Sequence, residues 1–530
     1  MTYIVSLVLG ILTALPMVFD WLFALPWLAL PAWLLLVLRC RHPYRHGLVW
    51  SVGYFFVVFS WLIELYPMDF AGFSNGMSVL IIFLGITVLT LSQSVFAAFL
   101  PVIYKKGYAF LPAPLSAVLA GAVWCVIEWG QTLFWFMVPW GRLALTQTLF
   151  LPTIQSASLL GSYFVAFIMM CWAGLIAAAL EKSLGGDKPL KFDKSGLRPV
   201  YALVALIIFA ANVVFGTVKL CLPEKSGADG TDTGVTAAAV QGNISSVDKW
   251  ADDSLSRSLK IYSDLTKEAA GDGARLVVWP ESVITVSLNR YAYVSSAISA
   301  LASETGCDIA VGAFFTEGEG DDSVDYNAVY YYHPDGTVSE NVYFKRHLVP
   351  FGEYVPMRSF IMKIFPFLDE INMFSSDIGR GSSSALFEDG RGTVGSLICF
   401  DSIYADLARS TAADGAELIL LSTNDSWYKD STAVYQHNRH AALRAVETGK
   451  YIVRAANTGV SSVIDPNGSI KESLGPLLTG YVTSDIRYVE GKTLYTCVGD
   501  VIVWLSAGYA AAVIAVGIIK RLRKRKEEKS

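Results

Sequence analysis

The chain has few charged residues. Only 16% of its 530 residues are charged, whereas 53% are hydrophobic and 13% are aromatic. Soluble domains usually carry roughly 25% charged residues, so this composition excludes an ordinary soluble enzyme and, equally, a disordered chain. A single core seldom grows beyond about 250–300 residues, and the length therefore allows more than one domain.

Basic residues are scarce where a nucleic-acid-binding domain would need them. The formal net charge is −5. Residues 1–220 hold 12 Lys and Arg against 7 Asp and Glu, residues 221–490 hold 21 against 36, and residues 491–530 hold 8 against 3. Binding of nucleic acid requires a concentrated basic surface on the folded domain. We therefore expect no nucleic-acid partner.

Cysteine and histidine are also few. The seven cysteines are an odd number, and most lie in or beside apolar runs, so we expect no disulfide framework. A bridge between Cys221 and Cys497 remains an alternative. Of the six histidines, His437 and His440 are closely spaced, but no Cys or carboxylate accompanies them at metal-binding spacing. We expect neither a metal nor a cofactor.

Long apolar runs dominate both ends of the chain. A helix needs about 20 residues to cross a hydrocarbon core of roughly 30 Å. Seven runs before residue 220 and one near the C-terminus predict a multi-span α-helical membrane domain of about eight helices. The predicted spans are Ile4–Val18, Trp21–Leu38, Gly47–Leu65, Met77–Tyr104, Ala113–Trp129, Leu159–Leu180, Pro199–Val218 and Leu494–Ile519.

Basic loops predict the orientation of these spans. Lys and Arg follow every second span, and short basic loops stay in the cytoplasm. We therefore expect both termini in the cytoplasm and the acidic block on the outer face of the membrane. The predicted domains are a membrane domain at 1–220, a flexible Gly-rich linker at 221–234, an outer domain at 235–490, and a last span with a basic tail at 491–530.

The outer block alternates short apolar runs with helical stretches, which indicates an α/β domain. Helices are predicted at 253–270 and 432–449, and Pro-Asp-Gly and Pro-Asn-Gly turns at 334–336 and 466–468 predict hairpins. The predicted strands are Val235–Val240, Ala274–Trp279, Asp308–Phe314, Asn327–Tyr332, Thr393–Ile398, Leu418–Ser422, Ile452–Ala456 and Ser461–Ile464.

Three residues at the ends of strand-like runs are candidates for chemistry. Glu281, Lys345 and Cys399 each follow such a run, and ligands in α/β domains collect at the carboxyl ends of strands. Cys399 also precedes a helical run at 402–410, and a helix N-terminus can lower a thiol pKa. Taken singly, each has a simpler explanation: a helix cap, a surface lysine and an ordinary buried thiol.

The motifs around these residues resemble the nitrilase superfamily. Trp279–Ser282, Lys345–Pro356 and Ile398–Asp401 look like its Glu, Lys and Cys signatures. The twelve-residue middle motif is similar to that of the superfamily's membrane branch, the apolipoprotein N-acyltransferases. Supporting matches are Gln241–Ile244 with Trp250, Thr423–Trp427, Ala442–Gly449 and Asn457–Ser461. The resemblance implies that the outer domain is a nitrilase-like αββα sandwich.

The resemblance also implies a reaction. Cys399 would attack a phospholipid ester to form a thioester, Glu281 would act as general base, and Lys345 would stabilise the oxyanion. Glu353 would orient Lys345 or Glu281, although a surface carboxylate is the alternative. The family commonly has Glu where this chain has Asp401, whose shorter reach weakens the expected assistance. The acceptor would be the α-amino group of the diacylglyceryl-modified N-terminal cysteine of a bacterial lipoprotein.

Substrate-binding candidates are predominantly aromatic. The apolar stretch at 360–374 is a candidate for a lipid-facing lid, with a core helix as the alternative. The aromatic loop at 134–140 is a candidate for the floor of the substrate entrance or, more simply, for a membrane anchor. The candidates are Trp250, Phe400, Asn424, Trp427, Trp140, Phe365 and Phe367.

Two other functions remain open on the sequence alone. A membrane-tethered amidase would use the same site and let water resolve the thioester. A lipoprotein-binding or transport protein would need no catalysis. The partners expected for the leading interpretation are a phospholipid acyl donor, a diacylated apolipoprotein and the lipids of the bacterial inner membrane, and we expect the protein to be a monomer.

Overall fold

The computed structural model describes residues 2–68, 72–183, 196–222, 234–245, 248–251, 253–364 and 377–528. The chain divides into two compact units. One comprises residues 1–60, 83–222 and 498–530, and the other comprises residues 61–82 and 223–497.

The first unit is built from apolar helices. Among the described residues, six helices are long and apolar enough to cross a membrane: 43–65, 75–108, 113–130, 162–180, 199–221 and 501–527. Two shorter apolar helices, 2–17 and 25–39, lie where the first two spans were predicted. The prediction of a multi-span helical domain is thus confirmed. The helices are α1 (Thr2–Ala14), α2 (Leu25–Arg39), α3 (Pro43–Phe59), α4 (Asn75–Ala97), α5 (Phe99–Tyr108), α6 (Ala113–Gly130), α7 (Leu151–Ile154), α8 (Ala157–Leu160), α9 (Ser162–Leu180) and α10 (Pro199–Cys221).

The second unit contains two six-stranded sheets, ordered β12-β1-β2-β3-β4-β5 and β11-β10-β9-β8-β7-β6. Within each sheet the three central strands, β1-β2-β3 and β7-β8-β9, run parallel, and their remaining partners run antiparallel. The strands are β1 (Gly234–Gln241), β2 (Leu276–Val278), β3 (Asp308–Glu317), β4 (Val324–Tyr332), β5 (Tyr343–Phe344), β6 (Leu386–Glu388), β7 (Thr393–Ile398), β8 (Leu418–Thr423), β9 (Tyr451–Ala456), β10 (Ser461–Ile464), β11 (Ile470–Leu474) and β12 (Gly480–Arg487).

Helices cover this unit and complete the chain. They are α11 (Ser254–Gly271), α12 (Ala292–Thr305), α13 (Arg358–Ile364), α14 (Ala405–Asp414), α15 (Thr432–Thr448) and α16 (Leu494–Val498). The last helix, α17 (Val501–Glu527), belongs to the first unit.

The side chains of β2 show how the layers form. Because successive residues of a strand face opposite sides of the sheet, Leu276 and Val278 enter the core between the sheets, whereas Val277 and Trp279 enter the core under the helices. The core between the sheets also holds Ala310, Ile398, Leu420 and Val453, and the core under the helices holds Tyr262, Ile298 and Leu301. The predicted αββα sandwich is confirmed.

All eight strands predicted with bounds are present. The sequence indicates β5 only as the strand-like run before Lys345 and β11 only through the hairpin turn at 466–468, and it gives no sign of β6 and β12. The edge strands β5 and β6 have only two and three residues. In β11 four of the five residues are exposed, and in β12 only one residue is buried. These edge strands lack the apolar run that marks a buried strand.

A buried carboxylate fastens the two sheets together away from Glu281 and Cys399. Asp389, in the turn between β6 and β7, accepts hydrogen bonds from the hydroxyls of Tyr331, at 3.1 Å, and Tyr488. It also accepts from a guanidinium nitrogen of Arg391 at 2.9 Å. Because Tyr331 belongs to the first sheet and Asp389 to the second, this carboxylate holds the sandwich closed.

Replacing Asp389 with Ala should therefore destabilise the fold without disabling the chemistry. The change leaves two buried hydroxyls without their acceptor and removes one of the two carboxylates that pair with Arg391, the other being Asp308, which costs on the order of 3 kcal/mol. We expect a Tm several degrees lower in detergent and an unchanged rate of Cys399 acylation below that temperature. Asp264→Asn is the control, because its ion pair with Lys260 is solvent-exposed. An equal Tm for the two variants would contradict the prediction.

Candidate active site

Glu281 and Lys345 meet at one end of the first sheet. Glu281 follows β2 and Lys345 follows β5, and Lys345 Nζ donates a hydrogen bond to Glu281 Oε1 at 2.8 Å. Asn327 of β4 donates from Nδ2 to the same oxygen at 2.7 Å. Glu281 is 5% exposed and Lys345 is 1% exposed. A buried charge requires an ionic or hydrogen-bonding partner, and these two residues supply one to each other.

The backbone at Glu281 rests directly on β3. A Cβ atom at Gly312 would lie 2.1 Å from the carbonyl oxygen of Pro280 and 2.8 Å from the Cα of Glu281. No side chain fits in that space. Glycine at position 312 therefore sets how closely Glu281 approaches the sheet.

Glu353 belongs to the same cluster. Its Oε1 accepts a hydrogen bond from Lys345 Nζ at 2.8 Å, and its Oε2 accepts from the backbone N–H of Val349 at 2.8 Å. Lys345 thus lies between two carboxylates. This contact fits the predicted supporting role of Glu353 and not the alternative of a surface carboxylate.

These contacts determine the charge states of the pair. Burial would raise the pKa of Glu281, but Lys345, with smaller effects from Lys249 and the Cys399 thiol, lowers that pKa below its ordinary value. Burial would lower the pKa of Lys345, but Glu281 and Glu353 raise it well above its ordinary value. Near neutral pH the site therefore holds a carboxylate base beside an ammonium.

Cys399 lies at the end of β7, and its thiol interacts electrostatically with the Glu281 carboxylate, since each of the two groups shifts the pKa of the other. The residue has φ +47°, in the left-handed region that residues other than glycine seldom adopt. It begins a 3₁₀ turn, 399–403, which precedes α14.

The surroundings of Cys399 favour the neutral form of the thiol. Burial, followed by the charge of Glu281, raises the pKa of Cys399 well above its ordinary value. The predicted helix at 402–410 begins only at Ala405, so the thiol does not lie at an α-helix N-terminus. Cys399 is therefore a neutral thiol at rest, and it needs a base to become a nucleophile.

Asp401 holds the backbone on both sides of the site. Its Oδ1 accepts from the N–H of Arg346 at 3.2 Å and of His347 at 2.7 Å. Its Oδ2 accepts from the N–H of Ile398 at 3.1 Å and from the hydroxyl of Tyr343 at 2.7 Å. The Asp401 side chain, although shorter than Glu, thus connects the segment that follows Lys345 with the strand end that carries Cys399. It makes these contacts with backbone N–H groups and the Tyr343 hydroxyl, and not with the Lys345 ammonium.

The predicted substrate-binding residues of this unit differ in their surroundings. Asn424 contacts the site through its backbone, since its N–H donates to Glu281 Oε2 at 2.9 Å. Trp250 is 63% exposed, whereas Phe400 is 6% exposed and packs edge-on against Tyr404. Trp427 packs closely against Gly352. Of these residues, Trp250 has the exposure that a contact with a bulky apolar substrate requires.

The remaining candidates are Trp140, Phe365 and Phe367. Trp140 belongs to the other unit, where it is 2% exposed, so it is a buried core residue and not an interfacial anchor. Its role at a substrate entrance stays a prediction. Phe365 and Phe367, on which the lid hypothesis depends, lie outside the described residues.

Sequence reasoning missed two polar residues beside Glu281. Asn327 was included only as part of a strand, yet its Nδ2 reaches both Glu281 and, at 3.2 Å, Glu353. Lys249 is 5% exposed, and its Nζ donates to Ser282 Oγ at 2.6 Å. A signal existed for Lys249, because it directly precedes Trp250. For Asn327 the residue pattern of a strand gives no such signal.

Replacing Lys249 with Met should change the pH dependence of the site. Burial lowers the pKa of Lys249 to about 8, so the residue is mostly charged at pH 7, and that charge helps to lower the pKa of Glu281. Without it the pKa of Glu281 rises. If Glu281 is the base that the family resemblance implies, it acts only when ionised, and we expect the acidic limb of the Cys399 acylation rate to move to higher pH. The alkaline rate should be retained.

The matched control is Lys249→Arg, which keeps the positive charge. The measurement is the acylation rate of Cys399 between pH 4 and 9 for all three proteins. An acidic limb that stays in place in the Met variant would contradict the prediction.

One group of side chains among the described residues has the chemistry of a metal site. Ligand atoms of Cys399, Asp425 and His437 lie within 4.8 Å of one another. However, His437 Nδ1 lies 2.8 Å from Asp425 Oδ1, and Nε2 lies 3.1 Å from the carbonyl oxygen of Cys399. Arg454 donates to Asp425 Oδ2 at 2.6 Å, and its positive charge opposes a bound cation. The group fits a hydrogen-bonded network better, and the absence of a metal stays a prediction.

Comparison with known sequences assigns the family. Residues 9–175 match the apolipoprotein N-acyltransferase N-terminal domain, and residues 236–491 match the carbon-nitrogen hydrolase domain. Together these matches span about four fifths of the chain and combine the membrane helices with the unit that carries Glu281, Lys345 and Cys399. The chain belongs to the apolipoprotein N-acyltransferase family.

Individual members of this family align along nearly the full length. The apolipoprotein N-acyltransferase of Geobacter metallireducens is 29% identical, covering 98% of this chain and 96% of its own length. That of Gloeobacter violaceus is 29% identical, covering 93% of this chain and 89% of its own length. A solved amidase structure from Nesterenkonia sp. is 20% identical, with a TM-score of 0.38, and covers 48% of this chain and 91% of its own.

Proposed function

We propose that this protein transfers an acyl chain from a membrane phospholipid to the α-amino group of the diacylglyceryl-modified N-terminal cysteine of a bacterial lipoprotein. The observation that carries the proposal is the buried cluster in which Lys345 Nζ donates to Glu281 Oε1 at 2.8 Å and both charges act on the Cys399 thiol, in a chain of this membrane acyltransferase family. The acyl chain passes through a thioester on Cys399.

In the first half-reaction Glu281 removes the proton of the Cys399 thiol, and the sulfur attacks the ester carbonyl of the phospholipid. The negative charge that develops on the carbonyl oxygen is stabilised by the Lys345 ammonium. The intermediate collapses as the C–O bond breaks. Glu281 then gives its proton to the departing lysophospholipid oxygen, which leaves the C–S bond of the thioester.

In the second half-reaction the lipoprotein amine attacks the thioester. An α-amino group has a pKa of roughly 8, so a useful fraction is neutral near pH 7. As the C–N bond forms and the C–S bond breaks, Glu281 takes a proton from the amine nitrogen and returns it to the Cys399 sulfur. The enzyme is regenerated, and the lysophospholipid and triacylated lipoprotein are the products.

The proposal extends to topology. The catalytic domain at 235–490 lies on the outer face of the inner membrane and both termini lie in the cytoplasm, in accord with the basic loops after alternate spans. On that face the site has access to lipoproteins after their export.

The intact mass of the purified protein after incubation with phospholipid alone tests the function. We expect a mass gain of one acyl chain on the wild type, no gain on Cys399→Ala, and loss of the added mass when a diacylated lipopeptide is supplied. The lipopeptide should gain the same mass. Release of free fatty acid in place of acylated lipopeptide would favour the amidase alternative. No gain on any protein, with lipopeptide unmodified, would favour a binding protein.

A further inference from the structure

The carbonyl oxygen of Cys399 is held by two side chains. Ser402 Oγ donates to it at 2.8 Å, and His437 Nε2, in α15, lies 3.1 Å from it. Because Cys399 has a left-handed φ, its backbone would relax to an ordinary conformation unless its surroundings held it in place. These two contacts act directly on the strained residue.

The ring of His437 is fixed on its other side. Its Nδ1 lies 2.8 Å from Asp425 Oδ1, and Asp425 receives a hydrogen bond from Arg454 at 2.6 Å. Burial would raise the pKa of Asp425, but His437 and Arg454 lower it, so the group is an ionised carboxylate. Since a carboxylate only accepts, Nδ1 of His437 donates to Asp425, and Nε2 faces the carbonyl oxygen of Cys399 and, at 3.0 Å, the hydroxyl of Ser402. Ser402, Asp425, His437 and Arg454 are all buried.

The loop that carries Asp425 also holds the base. Asn424, the preceding residue, donates its backbone N–H to Glu281 Oε2 at 2.9 Å. A Cβ at Gly459 would lie 2.3 Å from Asp425 Oδ2, so the loop is packed tightly against its neighbours. Two adjacent residues of one loop therefore reach the base, through Asn424, and the nucleophile, through Asp425 and His437.

We infer that His437, held by Asp425, is a positioning residue that keeps the Cys399 sulfur at the distance from Glu281 that proton transfer requires. The inference rests on the proposed function, because it concerns the same thiol and base. His437 Nε2 lies 3.1 Å from the carbonyl oxygen of Cys399 and 3.0 Å from the Ser402 hydroxyl that donates to the same oxygen, so His437 acts through the backbone of the nucleophile. A displacement of about 1 Å at a reacting atom can cost roughly 10²-fold in rate.

Two substitutions of His437 separate this role from general packing. The amide nitrogen of Gln reaches approximately where His Nε2 lies, so His437→Gln keeps the donor to the Cys399 carbonyl. The amide of Asn reaches only the Nδ1 position, so His437→Asn keeps the partner of Asp425 and loses that donor. We expect His437→Asn to slow formation of the acyl-enzyme by about 10- to 100-fold at saturating phospholipid, with the half-saturating concentration unchanged. His437→Gln should restore the rate to within several-fold of wild type.

Equal rates for the Asn and Gln variants, or a wild-type rate for Asn, would overturn the inference. If His437→Asn fails to fold, Ser402→Ala in the wild-type and His437→Gln backgrounds replaces it: the loss should be larger in the Gln background, where the remaining donor is weaker, and purely additive losses would overturn the inference. The alkylation rate of Cys399 by iodoacetamide is measured in parallel. It reports the thiol geometry even if the wild type gains no acyl mass, which is the result that would overturn the proposed function instead.

Discussion

Glu281→Gln should lower the rate of Cys399 acylation at pH 7 by about 10²–10⁴-fold, the range expected for loss of a general base. The pKa of the Cys399 thiol is raised by burial and by Glu281, so at neutral pH almost none of it ionises without a proton acceptor. Gln is nearly the size of Glu and can still accept from Asn327, but it cannot take a proton. The lower acylation rate therefore reflects the loss of the proton acceptor and not a change in packing.

The pH profile identifies this mechanism. In the wild type the pKa of Glu281 is below its ordinary value, so the base is ionised throughout the neutral range and the rate should be flat there. In the Gln variant the thiol must ionise unaided, and the rate should rise about tenfold per pH unit towards its pKa. The measurement is acyl-enzyme formation by intact mass between pH 6 and 10, with Glu304→Gln as an exposed control. An acylation rate that does not change with pH in Glu281→Gln would refute the assignment of Glu281 as the general base.

Lys345→Met should reduce both activity and stability. Loss of the ammonium removes the charge that stabilises the oxyanion, which typically costs 10²- to 10³-fold in rate, or about 3–4 kcal/mol in the barrier. It also leaves Glu281 and Glu353 buried without their shared cation, and removing one partner of a buried ion pair costs about 3–5 kcal/mol of folding free energy. The variant should show a lowered Tm and almost no acyl-enzyme.

A double variant separates these two effects. Lys345→Met with Glu353→Gln removes one of the stranded charges, so we expect the Tm to recover most of the way towards wild type. The rate should not recover, because no cation faces the oxyanion. Should the double variant regain acylation, Lys345 would serve only to balance the charge of Glu353, and its role at the oxyanion would be refuted.

The sequence predicts the strands whose signal is a local run of apolar residues, and it misses those placed by pairing with distant residues. The central strands are recognisable because both of their faces are buried and they read as apolar runs, as in Leu418–Thr423. The edge strand Gly480–Arg487 has only one buried residue, and its place in the sheet is set by pairing with β1. That pairing joins residues about 250 positions apart, which no local pattern reveals.

The same distinction applies to the active site. Glu281, Lys345 and Cys399 stand in recognisable motifs, and the fold brings them into one cluster. Lys249 has only the signal of its neighbour Trp250, Asn327 has none, and both become part of the site through contacts in the folded domain. The sequence leaves the thiol pKa open for a related reason: a helix N-terminus is a local feature, whereas burial and the charge of Glu281 come from the folded domain.

Gly312 shows what such long-range packing means for reading genetic variation. The residue has no side chain and takes no part in the chemistry, yet even a methyl group there would collide with the backbone at Pro280 and Glu281. In a library of random single substitutions, position 312 would tolerate as few replacements as the position of the nucleophile, Cys399. A map of the positions that tolerate no substitution would therefore include the backbone packing beneath Glu281 as well as the groups that react.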